Sequence, residues 1–179
     1  MTTLLRDRHG RLPMAGMAAV LALAVLASLT IPLVARRAPP VSQPIAFNHR
    51  KHTKDLQLGC DFCHKYYNTS AHSGLPDAQT CRMCHAAPLG KSAEAAKLTD
   101  MLNKGEPLRF NKLFRLPDYV FYTHRRHVGI AKLECKNCHD GIADTETPPE
   151  RPLIKIKMKF CLNCHEKRQV TTDCTACHR

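Results

Sequence analysis

The stretch Cys60-Asp61-Phe62-Cys63-His64 is a Cys-x-x-Cys-His motif, and it decides the fold because the chain repeats it four more times. The other copies are Cys81-Arg82-Met83-Cys84-His85, Cys135-Lys136-Asn137-Cys138-His139, Cys161-Leu162-Asn163-Cys164-His165 and Cys174-Thr175-Ala176-Cys177-His178. Together they use all ten cysteines of the 179-residue chain. This spacing is the attachment signature of c-type haem. We number the copies as sites 1 to 5 in chain order and expect five covalently bound haem c groups.

The motif also predicts which residues hold each haem. Both thiols form thioethers with the porphyrin, and the adjoining histidine is the proximal iron ligand. The predicted thioether residues are Cys60, Cys63, Cys81, Cys84, Cys135, Cys138, Cys161, Cys164, Cys174 and Cys177. The predicted proximal ligands are His64, His85, His139, His165 and His178.

Other uses of paired cysteines fit this pattern less well. A structural zinc site takes four ligands, usually from two Cys-x-x-Cys pairs, so five pairs would leave one pair over. Thioredoxin-type chemistry needs a strand–helix setting, which the sequence lacks. A disulfide framework does not require a histidine at a fixed offset five times. Haem attachment is therefore the preferred interpretation.

Six of the eleven histidines lie outside the motifs. His9 precedes an apolar segment, and we expect it on the other side of a membrane. The remaining five equal the number of open axial positions, so we predict these distal ligands: His49, His52, His72, His124 and His127. Methionine is the competing ligand. Met83 lies between two tethered cysteines, and we expect Met101 and Met158 to pack among apolar residues instead.

The chain contains an internal repeat. Phe47-Asn48-His49-Arg50-Lys51-His52 precedes site 1, and Tyr122-Thr123-His124-Arg125-Arg126-His127 precedes site 3, at a constant offset of 75 residues. Repeats of this kind indicate duplicated structural units. We predict module 1 over about residues 45–90, module 2 over about 120–165, and the fifth haem in 166–179. A His-x-x-His pair on one helical turn puts both imidazoles on one side, where they can bind two neighbouring irons.

An apolar run extends from Met14 to Ala35 and contains no charged residue. A helix of that length spans roughly 33 Å, enough for the apolar core of a bilayer. A secretory signal peptide usually has a shorter apolar region and a small-residue cleavage site, which this run does not match. We therefore predict one uncleaved N-terminal transmembrane helix over residues 14–35.

The sequence around this run predicts which side of the membrane each part occupies. Arginines precede the run, which places residues 1–13 in the cytoplasm. Residues 36–44 are typical of a proline-rich linker. Haem is attached outside the bacterial cytoplasmic membrane. We therefore expect residues 45–179 to form a periplasmic pentahaem domain held at the inner membrane.

The formal net charge of +12 does not indicate a nucleic-acid partner. Five haems would bring roughly ten propionates, and the charge of a cofactor belongs in the sum. The holo-protein is then much less basic than its polypeptide. We expect no nucleic-acid binding.

The number of residues per haem limits the fold. A body of about 135 residues leaves about 27 for each haem, too few for an ordinary core. We predict a multihaem cytochrome c fold that is mostly irregular, with a few short helices packed on five haems. One helix is expected over Ser92–Lys104, ended by Gly105. The alternation of apolar residues and lysines over Ile154–Phe160 predicts a short half-buried strand.

The His-x-x-His pairs resemble those of the class III multihaem cytochromes. The resemblance implies that His49 binds the iron of site 1 and that His124 binds the iron of site 3. It implies that His72 serves site 2. His52 and His127 would then reach sites 4 and 5, in either order.

Longer stretches resemble the pentahaem cytochrome subunit of alternative complex III. They are Ser70–Pro76, Gly105–Pro107, Leu116–His127 and Met158–His165. The resemblance implies an electron-transfer subunit, and not itself an enzyme, that carries electrons from quinol oxidation to a periplasmic carrier or a terminal oxidase. The implied partners are an iron–sulfur subunit of molybdopterin-oxidoreductase type, polytopic quinol-binding subunits and a monohaem cytochrome c.

Two other functions compete with this interpretation. A stand-alone, membrane-anchored quinol dehydrogenase would work without further subunits. A multihaem reductase would need at least one iron with an open position for its substrate. The five predicted distal histidines are sufficient for all five irons, which favours electron transfer over substrate reduction.

Overall fold

The structure is a computed structural model that describes residues 14–35 and 39–179. The predicted cytoplasmic segment, residues 1–13, lies outside the described residues, and so do residues 36–38 of the predicted linker. The chain divides into two compact units, residues 1–40 and 41–179.

The first unit contains helix α1, Met14–Ala35, which is 22 residues long. Alanine and leucine dominate its sequence, and both favour helix. Its side chains are described over residues 16–29, where most of them are exposed. Among the described residues, no helix has both the length and the apolarity that a membrane crossing requires.

The second unit is built from short helices joined by irregular chain, as the sequence predicts. Its α-helices are α2 Cys60–Cys63, α3 Ala78–Arg82, α4 Ala93–Lys104, α5 Lys136–His139, α6 Met158–Lys167 and α7 Cys174–Cys177. Two π-helical turns, Lys51–Asp55 and Arg125–Ile130, and a 3-10 helix, Ile142–Asp144, complete it. Over the described ranges the chain forms no β-strand, and an isolated antiparallel bridge joins Val120 to His178.

Helix α4 confirms the prediction made for Ser92–Lys104. The Ser92 hydroxyl accepts a hydrogen bond from the Ala95 backbone N–H, which caps the first turn. Gly105 ends the helix with a φ of +69°, a conformation that suits glycine. The helix buries Leu98 and Leu102.

The predicted strand over Ile154–Phe160 is wrong. Residues 154–157 are irregular, and helix α6 begins at Met158. The Phe160 and Cys161 backbone N–H groups both donate to the Lys157 carbonyl. The helical turn of site 4 therefore starts inside the alternating stretch and removes the last two apolar residues from it.

The polypeptide core of the second unit is small. Its buried hydrophobic residues are Ile45, Leu98, Leu102 and Leu108. Met101 packs against this core, as expected. Met158 does not, because it is 64% exposed, so the packing prediction for Met158 is wrong. A core of this size leaves other large apolar side chains on the surface, Phe62 and Phe121 among them.

The two segments that carry the His-x-x-His pairs have the same local geometry. The Leu58 N–H donates to the His52 carbonyl at 2.9 Å, and the Leu133 N–H donates to the His127 carbonyl at 3.0 Å. Gln57 and Lys132, which are 75 residues apart, both have a φ of +53°. This left-handed conformation is uncommon for residues with a side chain. Its recurrence shows that the repeat in sequence is a repeat in backbone structure.

Candidate haem sites

The Cys-x-x-Cys-His motifs adopt a common helical turn. At sites 1, 2 and 3 the histidine N–H donates to the carbonyl of the first cysteine at 2.9 Å, and at site 5 at 2.8 Å. One helical turn places the two thiols of a pair, three residues apart, on the same side. All ten thiols are free. Each pair is therefore available to form two bonds to one planar group.

Three pairs of histidine rings face each other at nearly equal separations. The ring centroids lie 6.3 Å apart for His52 and His85, 6.4 Å for His124 and His139, and 6.2 Å for His127 and His165. An imidazole nitrogen binds a metal at about 2 Å, so two rings on opposite sides of one metal ion have centroids about 6 Å apart. The observed separations fit one iron between each pair.

These histidine rings are arranged in pairs. Over the described residues, no group of three or more His, Cys, Asp or Glu side chains is arranged to hold a metal ion. A haem iron needs two axial ligands from the protein, because the porphyrin supplies the other four nitrogens. The donor set therefore fits haem.

His49 is close enough to His64, the proximal histidine of site 1, for the two rings to interact electrostatically. The pKa of His49 is lowered to about 4, mainly by burial and to a smaller extent by His64 and His52. The Thr145 hydroxyl donates to the Ile142 carbonyl, so it accepts from His49 Nδ1 at 3.3 Å. His49 is therefore neutral at pH 7, with Nε2 free to bind a metal.

Backbone carbonyls hold the Nδ1 atoms of five further histidines. The bonds run from His52 to Asn48 (2.8 Å), His64 to Gly74 (2.7 Å), His124 to Ala71 (2.8 Å), His127 to Thr123 (2.9 Å) and His165 to Thr171 (2.7 Å). A carbonyl accepts only from a protonated Nδ1, which leaves the lone pair on Nε2. Metal-binding histidines typically have this arrangement, with the second ring nitrogen held by an acceptor.

His85 differs from these histidines. Its Nδ1 is buried and has no hydrogen-bond partner. Burial lowers the pKa of His85, and His52 lowers it further. Burial also lowers the pKa values of His124 and His139. Their lowered pKa values favour the neutral imidazole in His85, His124 and His139, the form that binds iron.

Two aromatic rings orient the distal histidines, a role that the sequence analysis missed. Phe47 meets His49 edge-on at 4.8 Å and stacks on His52 at 4.4 Å. Tyr122 makes the matching contacts with His124 and His127, at 5.1 and 4.6 Å. Burial raises the pKa of Tyr122 to about 12. The signal was available, since both rings lie two residues before the first histidine of the repeat.

The structure pairs His52 with His85, and this differs from the arrangement that the class III resemblance implies. In that arrangement His72 serves site 2, and His52 reaches site 4 or 5. His72 is exposed, whereas the adjacent Ala71 carbonyl accepts from the backbone N–H of His124 at 3.0 Å. His127 faces the proximal histidine of site 4, one of the two sites that the resemblance allows.

Site 5 lies against the segment that leads into module 2. The Phe121 N–H donates to the Cys177 carbonyl at 2.8 Å, and the Arg179 N–H donates to the Tyr119 carbonyl at 3.1 Å. The Tyr119 ring lies 5.9 Å from the His178 ring. The Arg179 guanidinium stacks over Phe121 at 4.9 Å. These contacts fix the C-terminal motif at one edge of module 2.

Comparison with known proteins agrees with this chemistry. Residues 120–179 match the family described as cytochrome c7 and related cytochrome c. The chain is thus similar, over this range, to cytochrome c7-type domains, which agrees with c-type haem at sites 3 to 5. It is similar to the menaquinone reductase multihaem cytochrome c subunit of Nitratidesulfovibrio vulgaris (strain Hildenborough), at 28% identity over 156 residues. The match covers 75% of this chain and 74% of that relative.

Proposed function

We propose that the chain is the electron-transfer subunit of a membrane quinol oxidoreductase, with five c-type haems that carry electrons to a periplasmic carrier or a terminal oxidase. The observation that supports this most strongly is the facing of histidine rings at 6.2 to 6.4 Å. An iron with two imidazole ligands has no open position for a substrate. It can exchange electrons but cannot bind a molecule to be reduced.

The proposed axial pairs follow from these contacts. Four of them are His49 with His64, His52 with His85, His124 with His139, and His127 with His165. His72 and His178 complete the set. Both lie near residues 120–124. His178 is bridged to Val120, and Ala71, the residue before His72, accepts a hydrogen bond from the His124 N–H.

A haem bound at these sites supplies reversible one-electron exchange at its iron. The protein's own residues set the conditions for that exchange. The carbonyl bonds to Nδ1 fix the tautomer of each ligand and raise its basicity. Phe47 and Tyr122 limit the rotation of two imidazoles each, because both ring faces and ring edges are in contact.

A subunit role is favoured over a stand-alone dehydrogenase because the curated relative is itself a subunit of a menaquinone reductase. The finer assignment is a complex that resembles alternative complex III. Its other members would be an iron–sulfur subunit of molybdopterin-oxidoreductase type, polytopic quinol-binding subunits and a monohaem cytochrome c. The name of the relative favours a second candidate, in which electrons flow through the cytochrome toward menaquinone.

The proposal includes location. The apolar residues 14–35 anchor the chain in the cytoplasmic membrane, residues 1–13 lie in the cytoplasm, and residues 45–179 carry the haems in the periplasm. The support for this location comes from the sequence alone, in the length of the apolar run and the absence of charged residues within it.

The test is purification of the tagged full-length chain from native membranes in mild detergent. We expect co-purification of iron–sulfur and polytopic subunits, five haems per chain and reduction of the haems by added quinol. Reduction of menaquinone by a haem-reducing donor, without the reverse reaction, would favour the second candidate. A chain that purifies alone and oxidises quinol would contradict the subunit role. Carbon monoxide binding to the reduced wild-type protein would contradict axial saturation.

A further inference from the structure

The two modules contact each other through reciprocal hydrogen bonds. The Arg50 N–H of module 1 donates to the Thr145 carbonyl at 3.0 Å, and the Arg125 N–H of module 2 donates to the Ser70 carbonyl at 3.1 Å. Arg125 is the counterpart of Arg50 in the repeat, and Thr145 is the counterpart of Ser70, both at the offset of 75. We call the two turns that carry the His-x-x-His pairs the ligand turns. Each ligand turn therefore contacts the segment that follows the first haem motif of the other module.

Neighbouring contacts extend this reciprocity. On one side, the Thr53 hydroxyl donates to the Ala143 carbonyl at 2.8 Å. On the other side, Gly129 lies so close to Asn68, the counterpart of Ala143, that an added Cβ would be 3.2 Å from the Asn68 Cα. The contact thus covers a full helical turn on both sides.

Exchange of partners in this way is the mark of an isologous, two-fold interface. A tandem arrangement of two modules would repeat one contact in one direction only. At a two-fold axis, a residue meets its own counterpart. Cys60 and Cys135 are such counterparts, and they lie near enough for Cys60 to raise the pKa of the Cys135 thiol, after burial. The first cysteines of sites 1 and 3 therefore lie at the axis.

The remaining neighbours follow from the ligand turns. One turn carries His49 and His52, which both contact the Phe47 ring. The His52 ring faces His85 of site 2, and His49 interacts electrostatically with His64 of site 1. The matching turn of module 2 joins sites 3 and 4 through Tyr122. Site 5 is bonded to residues 119–121, directly before that turn. After burial, the neighbour that most raises the pKa of Cys161 in site 4 is Cys177 of site 5.

We infer that the duplicated modules form an internal two-fold pair and that the five sites are ordered in space as 2–1–3–4–5. Sites 2 and 5 are then the two ends of the row. This order has a consequence that rests on the proposed function: the electron donor docks at one end of the row and the electron acceptor at the other.

The test compares two matched deletions. Cys60→Ala with Cys63→Ala removes the site 1 haem, and Cys81→Ala with Cys84→Ala removes the site 2 haem. In the inferred order, loss of site 1 separates site 2 from all other haems, whereas loss of site 2 only shortens the row. Electron paramagnetic resonance of the oxidised four-haem proteins should therefore show one magnetically isolated low-spin haem per chain in the first variant and none in the second. The opposite result, or the same result in both, would overturn the inference.

A second measurement does not depend on a tolerated haem deletion. Backbone groups in hydrogen-bond contact bring their Cα atoms within reach of a disulfide. We expect Ser70→Cys with Arg125→Cys, and Arg50→Cys with Thr145→Cys, each to form a disulfide within one chain, detected by peptide mapping under non-reducing conditions. Bonds between two chains, or no bond in either variant, would overturn the two-fold pairing. Both experiments measure which parts of the chain are close together, so their outcome does not depend on whether the protein takes part in quinol oxidation.

Discussion

In module 1, Phe47 stacks on His52 at 4.4 Å, and the His52 ring faces the His85 ring at 6.3 Å and an angle of 39°. In module 2, Tyr122 stacks on His127 at 4.6 Å, and the His127 ring faces the His165 ring at 6.2 Å and 37°. Modules 1 and 2 are thus nearly the same at the ligands. They differ in the polypeptide that follows the ligands and packs near them. Helix α4 and three of the four buried core residues follow site 2 in the chain, whereas site 4 is followed by another haem motif. Local hydrogen bonds and one aromatic ring therefore set the ligand geometry, and a polypeptide core is not required for it.

The largest effect is expected from removing equivalent distal ligands. His52→Ala and His127→Ala should each convert one haem from low-spin to high-spin, because each leaves one iron with a single imidazole. Electron paramagnetic resonance and carbon monoxide difference spectra of the holo-proteins measure this change. His72→Ala is the matched comparison, because in the proposed set it removes a ligand of site 5 and leaves site 2 low-spin. Loss of the site 2 low-spin signal in His72→Ala, and not in His52→Ala, would contradict the pairing described above.

A substitution in the buried core tests whether that core stabilises the protein, which is the feature in which the two modules differ. Leu102 is 1% exposed, and Leu102→Ala should lower the free energy of unfolding of the holo-protein by about 3 kcal/mol through lost burial and a residual cavity. Leu153 is 49% exposed, so Leu153→Ala is a control with an expected effect under about 0.5 kcal/mol. Guanidinium titration followed by circular dichroism gives both values. Equal effects would show that the buried cluster does not support module 1.

A substitution at the module interface should have an intermediate effect. In Gly129→Val, the added side chain meets the Asn68 backbone, and overpacking of this kind costs about 1 to 3 kcal/mol. The counterpart of Gly129 is Lys54, which already has a side chain and is paired with Asp144 at 3.2 Å. Lys54→Val should cost less than about 1 kcal/mol. The same titration compares the two, and equal costs would weaken the case for close approach at Gly129.

The smallest expected effects come from the caps of the ligand turns. Asn48 Oδ1 accepts from the Lys51 N–H at 2.7 Å, and Thr123 Oγ1 accepts from the Arg126 N–H at 3.0 Å. Asn48→Ala and Thr123→Ala should each lower the free energy of unfolding by about 1 kcal/mol. Similar losses would sharpen the equivalence of the modules. A loss in only one of them would show that the two turns are held by different interactions.

Features set by neighbouring residues could be predicted from the sequence. The Ser92 cap and Gly105 mark the ends of α4 because both act within one turn. The strand over Ile154–Phe160 failed because a short alternation of apolar and basic residues is also compatible with irregular chain followed by a helix start. Lys157 has strand-like dihedral angles, yet it is the N-cap residue directly before α6. The competing signal was the site 4 motif itself, which is helical at the other sites as well.

Ligand pairing could not be predicted in the same way. His52 and His72 are both close to site 2 in sequence, and only the path of the chain decides which ring faces His85. That path depends on contacts between segments far apart in the chain, such as Arg50 with Thr145. The repeat contained part of this information, since it related the two turns, but it did not show that the modules exchange partners.

The carbonyl bonds at Nδ1 have a further consequence. An imidazole fixed at both nitrogens, by an acceptor on one side and a metal on the other, shifts little when the charge on that metal changes. In His52 and His127 the acceptor lies four residues earlier on the same turn, so ring and anchor move together. With haem bound, little nuclear rearrangement would accompany each transfer, which would keep the reorganisation energy small and the exchange fast.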